Sequence, residues 1–134
     1  GLRRVYVGLE TGDAALLQAL GKAGAPEDAV ALVRDLREAG ISAGVIVLLG
    51  AGGEPAFDSH VRETAAVLTR MRLRAGDLLY LSDLIEPGGL APSGGSLPPE
   101  RCDDQRRALL TAWQPSDPAG PPRVARYDLR EFVY

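Results

Sequence analysis

The sequence predicts an α/β fold in which parallel strands alternate with helices. Short apolar runs rich in β-branched residues recur along the chain, and apolar residues at helical spacing occupy the segments between those runs. Strands that alternate with helices are joined by right-handed crossovers, and such crossovers make the sheet parallel. Within 134 residues this pattern provides four strands, which is enough for a small open sheet or for half of an eight-stranded barrel.

Four segments have the composition of strands. The run from Val45 to Leu49 is apolar on both faces, as expected of a strand buried inside a parallel sheet. The first strand contains the β-branched and aromatic run Val5-Tyr6-Val7. The predicted strands cover residues 5–9, 41–49, 77–85 and 123–127.

Four other segments have apolar residues at helical spacing. Asp13 and Asp58 stand where a side chain can cap a helix N-terminus, and Gly21 and Gly40 stand where glycine ends a helix. In the second helix, Leu32 belongs to the stripe that is predicted to face inward. The predicted helices cover residues 14–20, 26–39, 58–71 and 98–113.

Composition and charge indicate an ordinary globular protein of the cytoplasm. The chain is 46% hydrophobic and 25% charged, and its formal net charge is −3 without a long run of one sign. The sequence shows neither the clustered basic face of a nucleic-acid-binding protein nor an apolar run near the ~20 residues that span a bilayer. Because Cys102 is the single cysteine, we expect no disulfide framework and no cysteine metal site within the chain.

Suggestive residues follow the first three strands, at the end where parallel α/β folds bind ligands. They are Glu10-Thr11-Gly12, the loop from Gly50 to Glu54, and Ser82 with Glu86-Pro87-Gly88. Taken singly, each has an ordinary explanation, since a strand-end glutamate often caps a helix and a glycine loop often makes a tight turn. The glycine loop also lacks the Lys-Ser/Thr pair of a phosphate-binding P-loop.

Taken together and in order, these motifs resemble the radical S-adenosylmethionine (SAM) enzymes. Residues 5–12, VYVGLETG, resemble the IGLESG strand of that superfamily, and residues 46–54, IVLLGAGGE, are similar to its IxxxGLGGE motif. Residues 60–68, HVRETAAVL, resemble the HxxxTAxVL helix of one bacterial branch. Residues 79–88, LYLSDLIEPG, resemble the strand and loop that precede a PGT motif. The similarity extends over about residues 2–90.

The resemblance implies a partial (β/α)6 barrel, similar to a TIM barrel, that binds SAM beside a [4Fe–4S] cluster and cleaves it reductively. In that superfamily a CxxxCxxC loop after the first strand binds the cluster, and this sequence has no such loop. We therefore expect residues 1–90 to be the second half of the barrel core and residues 91–134 to be a family-specific tail with one helix and a terminal strand. The parent protein would be the enzyme, and this segment alone would be inactive.

Carried over by position, eight residues are expected to contact SAM. Glu10 would accept hydrogen bonds from the ribose hydroxyls, since both carboxylate oxygens are acceptors, and Thr11 would assist with its hydroxyl. Lys22, the single lysine, would pair with the SAM carboxylate. The remaining expected contacts, to the adenine and the rest of the nucleoside, come from Leu48, Gly50, Gly52, Ile85 and Glu86.

The sequence departs from the superfamily pattern at two positions. Thr11 stands where serine is usual and keeps the hydroxyl, whereas Gly89 replaces the threonine of the PGT motif. His60 is expected to be a local hydrogen bonder rather than a catalyst, and Cys102 an ordinary thiol.

Two other classes of function stay open, and so does the substrate, which the sequence does not identify. One is a non-catalytic α/β binding or scaffold module that uses the same strand ends. The other is a small enzyme acting on a phosphorylated ligand, against which the missing P-loop argues. If the first strand lacks its native neighbour, its exposed edge can pair with another chain, so a dimer caused by truncation is also expected.

Overall fold

A four-stranded parallel sheet forms the centre of the computed structural model, which describes residues 4–84, 95–115 and 117–127. The strands are β1 (Arg4–Glu10), β2 (Ser42–Leu49), β3 (Leu78–Asp83) and β4 (Arg123–Tyr127). Their order in the sheet is β1-β2-β3-β4, and each neighbouring pair is parallel. The predicted α/β class and the parallel sheet are therefore confirmed.

The helices are α1 (Ala14–Ala19), α2 (Pro26–Glu38), α3 (Phe57–Met71) and α4 (Pro99–Ala112). Asp13 caps α1 as predicted, because its Oδ1 accepts the backbone N–H groups of Ala15 and Leu16 at 3.0 and 3.3 Å. Gly21 and Gly40 follow α1 and α2 with φ of 76° and 75°, the left-handed conformation that ends helices. Over the described ranges, no helix has the length and apolarity needed to cross a membrane.

The prediction that Asp58 caps α3 is wrong. A single 3-10 turn, Glu54–Ala56, leads directly into the helix, so the N-cap is Ala56 and no side chain caps it. Asp58 lies inside the first turn of α3, where a carboxylate still interacts favourably with the helix dipole. Pro55 lies in this turn, at the start of continuous helical structure.

The stripe that α2 buries is narrower than predicted. Val33 and Leu36 are 2% and 8% exposed, whereas Leu32 is 42% exposed, so the assignment of Leu32 to the inward stripe is wrong. Adjacent residues of a helix are rotated by about 100°, and α2 packs mainly toward β1, β2 and α3. That contact surface is too narrow to include Leu32.

The helices cover one face of the sheet and leave the other face open. Because the strands are neighbours in sequence order, right-handed crossovers place the connecting helices on the same side. Val45, Val47 and Leu49 point to that side and are fully buried in a core that they share with Leu68 and Leu109. We call the opposite side the open face. Residues on the open face include Tyr6, Gly8, Gly44, Ile46, Leu48, Tyr80 and Ser82.

Two aromatic rings meet on the open face. The ring centroids of Tyr6 and Tyr80 are 5.6 Å apart, with an angle of 48° between the planes. Gly44 lies beneath the ring of Tyr6, and a Cβ at Gly44 would come within 2.6 Å of Tyr6 Cε1. The missing side chain therefore lets the ring from β1 lie across β2. Tyr6 is 53% exposed, although parallel sheets normally bury both faces.

Gly12, between β1 and α1, packs against the backbone of α3 without room for a side chain. A Cβ at Gly12 would lie 2.6 Å from Thr64 Cα and closer still to the Glu63 carbonyl oxygen. Since neither atom can move without the helix, Gly12→Ala should lower the free energy of unfolding by about 3 kcal/mol, as severe overpacking does.

The matched control is Gly40→Ala. Gly40 has a positive φ of 75°, but a Cβ there would meet nothing within 4 Å, so the cost should be about 1 kcal/mol. Urea-induced unfolding of both variants measures the difference. Equal losses would contradict the backbone contact at Gly12.

Candidate functional site

The carboxyl end of β1 contains a strained turn centred on Glu10. Glu10 has φ of 66°, and the backbone N–H of Thr11 donates to the Leu9 carbonyl at 2.8 Å, which closes a three-residue γ-turn. The pairing register with β2 shifts between Gly8 and Glu10. Among the described non-glycine residues, only Arg72 also has a positive φ, and Arg72 ends α3 in an ordinary left-handed cap. Strain without such a reason is typical of functional sites.

The Glu10 carboxylate lies over Gly8 on the open face. A Cβ at Gly8 would come within 2.9 Å of Glu10 Oε1, so the missing side chain gives the carboxylate its place. Lys22 Nζ is 3.9 Å from Oε1, and the side chains of Lys22 and Glu10 are 54% and 15% exposed. Burial raises the pKa of Glu10 above its ordinary value, and the charge of Lys22 offsets part of that rise. The arrangement is a mostly buried acceptor beside an exposed cation.

The C-terminus of α1 places Lys22 beside Glu10. The chain leaves the helix at Gly21, and the backbone N–H of Lys22 donates to the Leu17 carbonyl at 3.2 Å. Leu17 is itself buried, which anchors the helix end. The two ionisable residues that the sequence assigned to one ligand are therefore neighbours, although they are separated by a helix.

Thr11 is fully buried, and its hydroxyl bonds inside the protein. Thr11 Oγ1 lies 2.7 Å from His60 Nδ1 and accepts the backbone N–H of Asp13 at 3.0 Å. His60 is 2% exposed, and its Nε2 lies 2.6 Å from the Leu48 carbonyl oxygen. The ring of His60 therefore links the end of β1 to the end of β2. The contact of Thr11 with a ribose stays a prediction.

The loop between β1 and α1 is also bonded to the first turns of α3. The Gly12 N–H donates to Thr64 Oγ1 at 2.9 Å, and the Ser59 hydroxyl donates to the Asp13 carboxylate. Burial alone would raise the pKa of Asp13, but the hydrogen bonds from Ser59 and from backbone N–H groups of α1 bring it below its ordinary value. Asp13 is therefore an ionised structural residue at neutral pH.

Packing and backbone conformation together determine the glycine turn after β2. Gly50 and Gly52 have φ of 84° and 80°. A Cβ at Gly50 would lie 3.1 Å from Cys102 Sγ, and one at Gly52 would lie 2.7 Å from Leu16 Cδ1. The Gly50 N–H donates to Gln105 Oε1 at 2.7 Å. These contacts explain both glycines as parts of a tight turn, and their approach to a nucleoside stays a prediction.

The structure brings the predicted site residues together only in part. Glu10 and Lys22 are adjacent, and Leu48 lies half-buried on the open face, one residue beyond Val47, the partner of Glu10 in the sheet register. The buried members are Thr11, Gly50 and Gly52. Ile85 and Glu86 lie outside the described residues.

Two buried polar residues, His60 and Gln105, had no role in the site that the sequence predicted. His60 forms hydrogen bonds, as predicted, but those to Thr11 and Leu48 join two strand ends and are not local. Gln105 is 1% exposed, and besides Gly50 it contacts the Phe57 carbonyl through Nε2 at 3.3 Å. Both residues lie at helical spacing from buried leucines, Leu68 and Leu109. In the sequence, both could have been found as polar residues on an otherwise apolar helical stripe, because a buried polar side chain requires hydrogen-bond partners.

A metal ion has no evident ligand set in the part of the chain that the structure describes, since no three His, Cys, Asp or Glu side chains group together there. Cys102 is free and buried, and burial, with the nearby Asp83 carboxylate, raises its thiol pKa to about 11. Reactivity and metal binding require the thiolate, which this environment disfavours.

The sequence matches no protein-family model, no curated protein and no solved structure. The residues and geometry described above are therefore the basis for assigning a function.

His60 should make the stability of the protein depend on pH. Burial lowers its pKa below the ordinary 6.5, with the Leu48 hydrogen bond and the Asp13 charge offsetting part of the effect. Above pH 6.5 the ring is neutral in both the folded and the unfolded chain. Below pH 6.5 the unfolded chain binds a proton that the folded chain resists, so stability should fall by up to about 1.4 kcal/mol per pH unit.

Urea unfolding at pH 7.5 and 6.0, with wild type and His60→Gln, measures this dependence. The loss between the two pH values should be smaller in His60→Gln. Asp13 titrates below this window, and Glu10, whose folded pKa is raised, acts in the opposite direction in both proteins. The same pH dependence in both would show that His60 is not the group responsible.

Proposed function

We propose that this chain is the SAM-binding half of a radical SAM enzyme. The observation that supports the proposal best is the Glu10 carboxylate, which lies on a strained turn at the carboxyl end of a parallel strand. Within the described structure its only polar side-chain partner is Lys22, at 3.9 Å. Both carboxylate oxygens therefore have lone pairs available for the two hydroxyls of a ribose.

The fold is compatible with the second half of a partial (β/α)6 barrel. Sequential parallel strands with the helices on one side are the winding of a β/α barrel, and the open face then corresponds to the barrel interior. Because parallel sheets are rarely open on one face, further strands or another chain should cover Tyr6, which is 53% exposed. In this proposal residues 1–90 belong to the core and residues 91–134 to a family-specific tail.

The residues of this chain fit SAM, whereas they do not fit the cluster. Glu10 would bind the ribose and Lys22 the SAM carboxylate. A [4Fe–4S] cluster needs several thiolates, so its ligands would come from outside these 134 residues. With the cluster, SAM supplies radical hydrogen abstraction, and this half binds and orients the nucleoside. The remaining contacts that the resemblance assigns are those of Thr11, Leu48, Gly50, Gly52, Ile85 and Glu86.

A non-catalytic α/β binding or scaffold module is the second candidate. In its favour, Thr11, Gly50 and Gly52 are buried, and contacts within the protein explain them without a ligand. Such a module would bind at the same strand ends or through β1, which is an edge strand of the described sheet and can pair with another chain. It would need no iron–sulfur cluster.

Anaerobic reconstitution distinguishes the two candidates. The polypeptide that contains this sequence in the cell is incubated with iron and sulfide and then given SAM and a reductant. About four irons per chain, together with release of 5′-deoxyadenosine, would support the radical SAM proposal, whose partners are SAM and an unidentified substrate in the cytoplasm. No cluster and no SAM cleavage, in a well-folded polypeptide, would favour the binding module.

Glu10→Ala should weaken the binding of SAM to the reconstituted polypeptide. Hydrogen bonds to a charged group contribute about 1.5–3 kcal/mol, so Kd should rise roughly tenfold to 150-fold in isothermal titration. Glu38→Ala is the matched control, because Glu38 is an exposed glutamate at the far end of α2 and should leave Kd unchanged. If both variants bound SAM like wild type, Glu10 would have no role in ribose binding.

Gly8→Ala should weaken SAM binding while the fold stays intact. The new methyl group would lie 2.9 Å from Glu10 Oε1 and displace the carboxylate, which as the end of a flexible side chain can move at little cost. We expect Kd to rise by about tenfold, the effect of roughly 1.4 kcal/mol, with little change in the urea midpoint. An unchanged Kd would mean that the carboxylate position over Gly8 is not the one that binds SAM.

A further inference from the structure

We propose that His60 is a positioning residue for the strand-end site, with its ring proton on Nε2 and its Nδ1 accepting from Thr11. In this role it fixes the spacing between the Glu10 turn and the end of β2. The consequence for ligand binding rests on the proposed function, in which these two segments contact the ribose and the adenine of SAM. The hydrogen-bond assignment itself does not depend on that function.

The bonding pattern determines the tautomer of His60. A carbonyl oxygen only accepts, so Nε2, 2.6 Å from the Leu48 oxygen, must bear the ring proton. In a neutral ring Nδ1 is then an acceptor, and the Thr11 hydroxyl at 2.7 Å donates to it. The Thr11 oxygen in turn accepts the Asp13 N–H at 3.0 Å. Each atom in this series of bonds has a single possible sense of donation.

Thr11 is the last residue of the γ-turn that is centred on Glu10. A turn with positive φ at a non-glycine residue relaxes unless its surroundings fix both ends. The sheet and the core fix Leu9, which is 2% exposed, and His60 fixes Thr11. The orientation of the Glu10 side chain therefore depends on a histidine that it does not touch.

The second bond of the ring acts on β2. Leu48 directly precedes Leu49 and the Gly50 turn, so a fixed Leu48 carbonyl fixes the start of that turn. Thr64 cannot replace His60 in this role. The Thr64 hydroxyl lies 3.1 Å from Nδ1 and accepts the Gly12 N–H at 2.9 Å. The first bond lies within α3, the second connects α3 with the β1–α1 loop, and neither reaches β2.

Nitrogen-15 NMR of the ring tests the assignment, because His60 is the single histidine of the sequence. Its signals are identified by their disappearance in His60→Leu. At pH 7.5 we expect a protonated Nε2 and an unprotonated Nδ1, and Thr11→Val should shift the Nδ1 resonance. Thr69→Val is the matched control, since its hydroxyl bonds the Ala65 carbonyl at 2.8 Å on the same helix and should leave the ring unaffected. A proton on Nδ1, or no shift in Thr11→Val, would overturn the proposal.

A double-mutant cycle separates positioning from a merely structural role. In the reconstituted polypeptide, His60→Leu should raise the Kd for SAM by about tenfold when Glu10 is present and by less than about twofold in the Glu10→Ala background. If the two losses multiply instead, His60 does not act through Glu10, and the proposal is wrong. Should His60→Leu fail to fold, His60→Gln, which lacks the ring that spans Thr11 and Leu48, takes its place in the cycle with the same expectation.

The two arms distinguish failure of this inference from failure of the proposed function. If wild type does not bind SAM, the proposed function fails, and the NMR arm still decides whether His60 tethers Thr11 to Leu48. If wild type binds SAM but the cycle is multiplicative, the proposed function stands and the positioning role of His60 is rejected.

Discussion

The γ-turn at Glu10 is the constraint on which the rest of the site depends. A glutamate with positive φ is unfavourable in isolation, so neighbouring groups must stabilise it. Several nearby features act in that direction: Gly8 leaves room for the carboxylate, Thr11 is bonded to a buried ring, and Gly12 packs on the backbone of α3. Local contacts therefore explain why Gly8, Thr11 and Gly12 occupy these positions. All of these contacts help to fix the direction of the Glu10 side chain.

The two faces of the sheet differ in burial and in side-chain composition. The face toward the helices is a closed core in which Val45, Val47 and Leu49 have no contact with solvent. The open face has few charged side chains near its centre and presents Tyr6 and Tyr80. A surface of this composition is unusual for a parallel sheet and is readily explained if it faces an enclosed space in a larger assembly. The carboxylate of Glu10 lies at the end of that surface rather than at its centre.

The sequence predicted the sheet and helices well because their signals are local and periodic. Val45 to Leu49 reads as a buried strand, and glycines at positions 21 and 40 end helices as expected. Asp58 and Leu32 were misassigned because a 3-10 turn and the width of a packing contact have no periodic signature. The tether formed by His60 was not predicted either, since it joins residues 49 positions apart. Glu10 and Lys22 are separated by few residues in the sequence. Only the order of the motifs indicated that the two side chains would be neighbours.

The strands of this sheet lie side by side in sequence order, so the sheet is built from repeated strand–helix units. Each strand with its helix is added beside the previous one by the same operation, so another unit can join at an outer strand without altering the pairing already present. Glu10 belongs to β1, an outer strand of the described sheet, and its partner in register, Val47, belongs to the next strand. A unit added at that edge would leave both strand ends unchanged and form a wall beside them. The fold can therefore keep the residues at these strand ends constant while the neighbouring unit is exchanged.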